Sequence, residues 1–492
     1  MLRYNTPEKK GISSQKIEEF IRKLEARHLS THDVIIMRGE DIIFENYWAP
    51  FNKDFNHRMY SVTKSVLSLA IGFAIDEGYL SLDDKIRDLL PKEAELCRDC
   101  ENMYELTVKN LLMMSTAKSP ENWFAARHPD RVKFYFENKK TYSRPGGTTF
   151  EYDSPGSFLL AAILERLVGA SLTDYLRPRL FDKIGVSKAA KCLKCPGGHS
   201  WGDSALICSA RDLLLIGKFC INMGAWNGEQ LISREYMEAA TSKQIDNNTV
   251  DIEAFDTHGY GYLFWRTYDN SFFFNGMGCQ LCICVPDKDI VFVYNGDNQG
   301  NAIAKHIIID EFYDLIVRTA KDEALSENKD AEVSLSSYAK GLKLYAKKSC
   351  SGREFEEKIN GKIFSLDENP MGISKLSFSF TQDVCSLNYR NAQGDKKLLF
   401  RIDENEFGIF PEEGYSKDVG SQYAEGNFYK CAASGAWTEP QKLHVKIQII
   451  DEYFGILNMI FSFKDENTVG ICMCKTAEDF LNTYQGFATG KV

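Results

Sequence analysis

Strand-like runs lie on both sides of a long helical stretch in the first 319 residues, and this arrangement constrains the fold most. Val34–Phe44 holds two β-rich runs around a Gly39-Glu40 turn, which predicts a hairpin. The pattern is then mostly helical from Ser61 to about Ala240. Strand patterns return at residues 259–266, 271–274, 280–285 and 290–294. We therefore expect one antiparallel sheet built from both ends of this region.

Helices are predicted to cover both faces of that sheet. Apolar residues recur at helical spacing in Ser14–Arg27 and in Ala302–Thr319. We expect these terminal helices on one face and the helical insert on the other, an α+β fold with α/β/α layers.

The C-terminal third shows a different pattern. Residues 320–332 are polar, with Leu325 as their one large apolar side chain, which indicates a linker or a solvated helix end. Beyond residue 333, polar and apolar residues alternate, as in Leu443–Ile449, and turn residues separate the runs. We therefore expect a first domain at 1–319, a linker at 320–332 and a β-rich domain at 333–492, either a sandwich or a barrel.

Composition excludes several classes of protein. A chain of 492 residues that is 44% hydrophobic and 26% charged is neither disordered, collagenous nor a coiled coil. The net charge of −10 argues against a nucleic-acid partner. The longest apolar stretch, Val66–Ile75, is too short to span a membrane, and the N-terminus has no signal-peptide pattern. We expect no membrane association and a cytoplasmic protein.

Fourteen cysteines are too widely spread for a small disulfide framework. Several lie in apolar strands, where a thiol packs as a small hydrophobic group. Two Cys-x-x-Cys pairs have the spacing of zinc ligands, although the pairs lie far apart in the sequence. We favour reduced, unligated thiols over a zinc site at these four residues, Cys97, Cys100, Cys192 and Cys195.

The Ser-x-x-Lys pattern occurs five times, but only Ser61-Val-Thr-Lys64 begins an almost wholly apolar helix. Residues three apart share one face of a helix. Ser61 would lie at the positive end of the helix dipole, and Lys64 would be partly desolvated, which favours its neutral form as a proton acceptor. Alternatively, Ser61 is a simple N-cap and Lys64 a surface lysine.

A second motif begins with a Pro-Gly-Gly loop and ends in Tyr152-Asp-Ser154-Pro155. Ser154 before Pro155 predicts a helix start, with the serine as N-cap and the proline at the first helical position. The helix behind it is apolar, so Tyr152 would project from the loop into a cleft, where a phenol near Lys64 can relay a proton. Alternatively, Tyr152 only packs in the loop.

A third motif, Phe274-Asn-Gly276-Met277-Gly278, lies between two predicted strands. Glycines at such a position allow a backbone to approach a ligand closely, or form a bulge or a simple turn.

These three motifs, in this order, resemble those of the serine β-lactamase and penicillin-binding-protein superfamily. The chain most resembles its class C β-lactamase-like serine hydrolases, which include esterases, D-aminopeptidases and the 6-aminohexanoate-dimer hydrolase type. Flanking segments such as Leu106–Leu112 and Ser209–Leu213 match as well, so that the resemblance covers about residues 5–318.

The resemblance implies a β-lactamase/transpeptidase-like domain with Ser61 as nucleophile and Lys64 and Tyr152 as acid and base. It places Gly276 and Met277 at the oxyanion site and Ser154 beside the substrate. Two departures matter: Ser154 replaces the usual Asn, and the third motif lacks the usual Lys or His. His258 could supply that cation, although a structural role is the simpler reading.

The implied function is hydrolysis of an ester or amide, with D-amino-acid peptides among the candidate substrates, through an acyl-enzyme on Ser61. Because the third motif lacks this cation, we rank β-lactams last among the expected substrates. A non-catalytic ligand-binding or penicillin-sensing protein on the same scaffold is the alternative. We expect a small-molecule or short-peptide substrate and no cofactor, and the sequence is compatible with a homodimer.

Overall fold

The computed structural model describes residues 2–117, 121–124, 128–138, 144–248, 254–420, 422–476 and 481–492. Contacts divide the chain into two compact units. Unit 1 comprises Met1–Gly296, Ile303–Leu342 and Asp418–Gly420, and unit 2 comprises Asp297–Ala302, Lys343–Lys417 and Ser421–Val492.

The strands of unit 1 are short except for the hairpin and the last two strands. They are β1 (Arg3–Tyr4), β2 (Thr31–Arg38), β3 (Asp41–Tyr47), β4 (Asn56–Arg58), β5 (Lys191–Cys192), β6 (Leu206–Ser209), β7 (Ala225–Trp226), β8 (Glu229–Gln230), β9 (Trp265–Arg266), β10 (Phe272–Gly276), β11 (Gln280–Val285) and β12 (Ile290–Gly296).

Most helices of unit 1 fall between β4 and β9, as the sequence predicts. The helices are α1 (Ser14–Ala26), α2 (Val62–Asp76), α3 (Ile86–Leu89), α4 (Pro91–Ala94), α5 (Glu101–Tyr104), α6 (Val108–Leu112), α7 (Arg131–Glu137), α8 (Ser154–Val168), α9 (Leu172–Leu176), α10 (Asp182–Ile184), α11 (Ala210–Ile221), α12 (Arg234–Thr241), α13 (Ala304–Phe312) and α14 (Lys329–Lys340).

Strands from both ends of the region form one sheet, in the order β1-β3-β2-β12-β11-β10-β9. The predicted antiparallel sheet is confirmed, apart from β1, which pairs parallel to β3. Apolar side chains of α1 and α13 pack with one face of the sheet in a single core, and α11 packs on β11 and β12. The sheet thus has helices on both faces.

One predicted strand is mostly wrong. Of residues 259–266, only Trp265–Arg266 pairs with β10. Gly259 and Leu263 have φ angles of 103° and 63°, and such left-handed residues turn the chain instead of extending it. The glycines and aromatics of this segment therefore form a compact loop that ends in a two-residue edge strand.

Unit 2 is a closed nine-stranded barrel with one further strand at its edge, which settles the choice between barrel and sandwich. The sheet order is β16-β15-β14-β13-β22-β21-β20-β19-β18-β17, and a β16–β18 pairing closes the ring. Its elements are α15 (Glu356–Ile359), β13 (Ile363–Leu366), β14 (Lys375–Ser379), β15 (Cys385–Asn391), β16 (Gly394–Ile402), β17 (Glu406–Tyr415), β18 (Tyr423–Glu439), β19 (Lys442–Ile450), β20 (Phe454–Asp465), β21 (Thr468–Thr476) and β22 (Gly486–Lys491).

The limits of the two domains stay a prediction. Residues 320–342, which include the predicted linker, belong to unit 1. Here α14 packs on α1, with the Arg22 guanidinium 3.8 Å from the Tyr338 ring centroid. Unit 1 also takes in Asp418–Gly420, whose backbone pairs with that of Lys194.

No single helix in the described ranges is long and apolar enough to cross a membrane. The segments Ser154–Val168 and Leu172–Ile184 reach that length together, but they meet at a bend of 64°.

Candidate active site

Ser61 lies in a tight turn between β4 and α2, immediately before the first residue of the helix. The preceding residue, Tyr60, is buried with φ of 45°, a left-handed conformation that a tyrosine rarely adopts. Thr63 secures the turn: its hydroxyl donates to the Tyr60 carbonyl at 2.6 Å and accepts from the Leu206 amide at 2.9 Å. A conformation of this kind persists only where its surroundings hold it in place.

Lys64 lies one helical turn after Ser61 and faces it, as the spacing predicts. Its Nζ donates to Ser61 Oγ at 3.0 Å and to the Asp203 carbonyl at 2.6 Å. The side chain is only 1% exposed, because α2 is buried from Val62 to Ala74. The two groups are therefore at a distance that permits proton transfer between them.

Tyr152 lies beside Lys64. The Lys64 Nζ lies 5.0 Å from the centroid of the Tyr152 ring. The ring also stacks on the indole of Trp265, with centroids 5.7 Å apart. Tyr152 is 37% exposed, so a phenol lies on the solvent side of a buried lysine. Tyr152, which is distant in the sequence, thus lies close to the Ser61–Lys64 pair.

The second motif requires a correction. Asp153, not Ser154, caps α8: its carboxylate accepts from the Gly156 amide at 3.0 Å and from the Thr116 hydroxyl at 2.6 Å. A carboxylate reaches the third helical amide as well as a serine hydroxyl does, and its charge suits the helix N-terminus. Ser154 is instead the first helical residue, 8% exposed and two residues after Tyr152.

The third motif forms a hairpin beside the Ser61 turn. Gly276 ends β10 and pairs with Gln280, and a Cβ on Gly276 would overlap the carbonyl oxygen of Met59. The Gln280 amide donates to the Met277 carbonyl at 3.0 Å and so secures the hairpin tip, where Met277 is 45% exposed. The glycine therefore allows this strand end to approach the chain two residues before Ser61.

The His258 ring meets the Tyr268 ring edge-on, with centroids 5.3 Å apart, a packing contact that is typical of a structural histidine.

Sequence analysis missed Asp203, which lies behind Lys64 and is fully buried. Burial raises the pKa of its carboxyl group, while the positive charges of Lys64 and Arg58 act in the opposite direction. One signal was available: Gly202-Asp203-Ser204 is a polar interruption between Trp201 and an apolar strand. Trp265 was also missed, because stacking across the sequence leaves no local pattern.

Among the described residues, the four cysteines of the Cys-x-x-Cys pairs form no disulfide bond. Burial raises the pKa of Cys192 and of Cys195, which opposes the thiolate form that a metal requires. Within the described ranges, no three His, Cys, Asp or Glu side chains are grouped to hold a metal ion.

Comparison with known proteins identifies the family of the chain. The β-lactamase family profile matches residues 17–307. The 6-aminohexanoate-dimer hydrolase of Paenarthrobacter ureafaciens is 24% identical over 264 residues, which cover 50% of this chain and 67% of that protein. The octameric penicillin-binding protein homologue of Pyrococcus abyssi superposes with a TM-score of 0.51 at 16% identity, covering 97% of this chain and 99% of that structure. At 16% identity, the similarity to the Pyrococcus abyssi protein shows the fold alone, over nearly the whole length of both chains. On the profile match over more than half of its length, the chain belongs to the β-lactamase family.

Proposed function

We propose that this protein is a serine hydrolase that cleaves an ester or amide bond through an acyl-enzyme on Ser61. The observation that carries the proposal is the 3.0 Å hydrogen bond between Lys64 Nζ and Ser61 Oγ, in a place where Lys64 is almost wholly buried. A nucleophilic serine requires a base within hydrogen-bond reach, and this pair supplies one.

In the acylation step, the Ser61 oxygen attacks the substrate carbonyl carbon and its proton passes to the base formed by Lys64 and Tyr152. The carbonyl π bond becomes an oxyanion. When that intermediate collapses, the bond to the leaving group breaks and the same pair returns the proton to it.

In this proposal, the backbone amides of Ser61 and Met277 stabilise the oxyanion. The Ser61 amide opens α2, and the Met277 amide lies at the tip of the hairpin that Gly276 brings against the Ser61 turn. Losing one such donor typically costs about 2.7–4 kcal/mol of transition-state stabilisation.

Deacylation repeats the chemistry with water as nucleophile. The pair takes a proton from water, the hydroxyl adds to the acyl carbon, and Ser61 leaves with the proton restored. The exposed side of Tyr152 provides access for this water.

The substrate class follows from what the third motif lacks. The third motif, whether Phe274-Asn275-Gly276 or Met277-Gly278-Cys279, has no Lys or His where the family commonly carries the cation that holds the carboxylate of penicillin-type substrates. We therefore place β-lactams last and simple esters, amides and D-amino-acid peptides first. The hydrolase named for a 6-aminohexanoate dimer supports this ranking.

The test is the intact mass of the full chain after exposure to a fluorophosphonate probe. We expect a stoichiometric gain in the wild type and none in Ser61→Ala. Ser13→Ala is the matched control, because Ser13 also precedes a helix in a Ser-x-x-Lys pair, and it should label normally. Absence of labelling in a folded wild type, or equal labelling of Ser61→Ala, would contradict the proposal.

A parallel exposure to a penicillin distinguishes the hydrolase from the alternative, a non-catalytic penicillin-sensing protein. A Ser61-dependent adduct that persists without turnover of any ester or amide would favour the sensor.

A further inference from the structure

We propose that Trp265 is a positioning residue, which holds the Tyr152 ring beside Lys64 and so speeds the transfer of the Ser61 proton. The inference rests on the proposed hydrolase function and adds to it a residue that touches no reacting atom. Trp265 would act through Tyr152, and this separates its role from that of a residue that only stabilises the fold.

The backbone on both sides of Tyr152 is secured, but the residue itself lies at the surface. The Glu151 amide donates to the Met114 carbonyl at 2.9 Å, and the Asp153 carboxylate caps α8. Tyr152 is 37% exposed, and an exposed side chain exchanges between staggered rotamers unless a neighbour favours one of them. The rotamer that brings the ring centroid within 5.0 Å of Lys64 Nζ therefore depends on a partner.

The indole of Trp265 is such a partner. The Trp265 and Tyr152 rings are nearly parallel, with an interplanar angle of 25° and centroids 5.7 Å apart. An offset stack of this kind is a favoured geometry for a pair of aromatic rings. Stacking on the indole thus favours the ring position in which Tyr152 meets Lys64.

Trp265 can hold a neighbour in place because it is itself anchored. Its backbone pairs with that of Phe273 on β10, and the two rings are 6.2 Å apart. The ring of Tyr260, which is 1% exposed, meets the indole edge-on at 90°, with centroids 5.2 Å apart. The indole is half-buried and packs against the hydrophobic core of unit 1. Tyr152 therefore stacks on a ring that buried neighbours fix.

The experiment is a double-mutant cycle in the full chain that measures the second-order rate of fluorophosphonate labelling. Trp265→Leu removes the stacked ring, whereas Tyr152→Phe keeps the ring and removes its hydroxyl. We expect Trp265→Leu to label about tenfold more slowly, because a proton-transfer group that loses its alignment loses part of its effect. Tyr152→Phe should label about a hundredfold more slowly, at the lower end of the range for loss of a general acid or base.

The double variant tests whether Trp265 acts through the Tyr152 hydroxyl. If it does, the loss of the indole has no further target once the hydroxyl is gone. The variant with both substitutions should then label within about twofold of Tyr152→Phe. A second tenfold loss in that background would show that Trp265 supports the site in another way, and it would overturn the inference.

A conservative variant tests the stacking itself. Trp265→Phe keeps an aromatic ring at the same position and should label within about twofold of the wild type. A tenfold loss in folded Trp265→Phe would overturn the inference, because stacking alone would not then explain the effect of Trp265→Leu.

Trp226→Leu is the matched control, because Trp226 is also half-buried and also lies on a two-residue strand, β7. It should label at the wild-type rate, and a loss equal to that of Trp265→Leu would overturn the inference in favour of a general packing effect. Circular dichroism checks the folding of every variant. Trp265→Met is a second non-aromatic variant should Trp265→Leu fail to fold.

The remaining outcomes separate this inference from the proposed function. Failure of both non-aromatic variants to fold, with Trp226→Leu folded, would assign Trp265 a purely structural role and overturn the inference. An unchanged labelling rate in Tyr152→Phe would also overturn it, because Trp265 would have no catalytic group to position. Absence of labelling in the folded wild type would instead overturn the proposed function.

Discussion

Helices α1 and α2 begin with the same spacing of serine and lysine, yet only one of the two starts resembles a catalytic site. Ser13 and Ser61 each precede the first helical residue, and neither side chain caps its helix. Lys16 turns to solvent and pairs with Glu19 at 2.8 Å, with 40% of its side chain exposed. Lys64 is buried and bonds to Ser61.

The difference lies in what surrounds each helix. One face of α1 is buried, whereas α2 is buried on nearly all sides. A lysine on the exposed face of an amphipathic helix finds water and a carboxylate. A buried lysine depends on the polar groups of the fold for its hydrogen bonds. Lys64 donates to a serine hydroxyl and to a backbone carbonyl. Burial therefore turns a common spacing into the hydrogen-bonded pair that we propose as nucleophile and base.

The largest expected effect separates the two lysines. Lys64→Met should lower the rate of fluorophosphonate labelling by about a thousandfold, within the range for removal of a general base. Lys16→Met should leave that rate unchanged, because its ammonium contacts Glu19 and not Ser13. The measurement is the labelling rate by intact mass, with circular dichroism as the check on folding. Equal rates for the two variants would break the comparison.

A smaller difference in labelling rate is expected between alanine substitutions at two tightly packed glycines, Gly276 and Gly11. A Cβ on Gly276 would overlap the Met59 carbonyl oxygen, and one on Gly11 would overlap the Lys321 carbonyl oxygen. Gly276→Ala should displace the Met277 amide and slow labelling at least about tenfold, as expected for an impaired oxyanion donor.

The matched variant, Gly11→Ala, should destabilise unit 1 by about 1–2 kcal/mol and leave the labelling rate of the folded protein unchanged. Gly11 has φ of 69°, which disfavours alanine in addition to the overlap. Unfolding curves and labelling rates of both variants check this. A loss of labelling in Gly11→Ala equal to that in Gly276→Ala would show that packing alone, not oxyanion geometry, explains both.

The smallest effect concerns the ion pair at the start of α1. Glu19→Gln should change the free energy of unfolding by less than about 0.5 kcal/mol, because exposed pairs contribute little. Both side chains are at least 40% exposed. Denaturant unfolding of the wild type and the variant measures this. A loss of several kcal/mol would mean that α1 depends on this pair and is not the simple surface helix assumed in the comparison.

Much of the fold was predictable because it depends on local periodicity. Alternating and apolar runs located the hairpin and strands β10 to β12, and helical spacing identified Ile17, Phe20, Ile21 and Leu24 as the buried face of α1. The loop at residues 259–264 was not predictable from the sequence, because its glycines and aromatic residues are compatible with either a strand or a compact turn.

The sequence by itself determined which residue types are available: a Ser-x-x-Lys pair before an apolar helix, a tyrosine ahead of another helix, and glycines between two strands. Only the tertiary structure decided that Asp153 caps α8, that Trp265 supports Tyr152, and that Asp203 lies behind Lys64. Ring stacking and burial of charge depend here on residues more than a hundred positions apart, and capping geometry depends on small differences in side-chain reach. A local pattern such as Gly202-Asp203-Ser204 marks a polar interruption, but the partner of each side chain is decided by packing after the elements have formed.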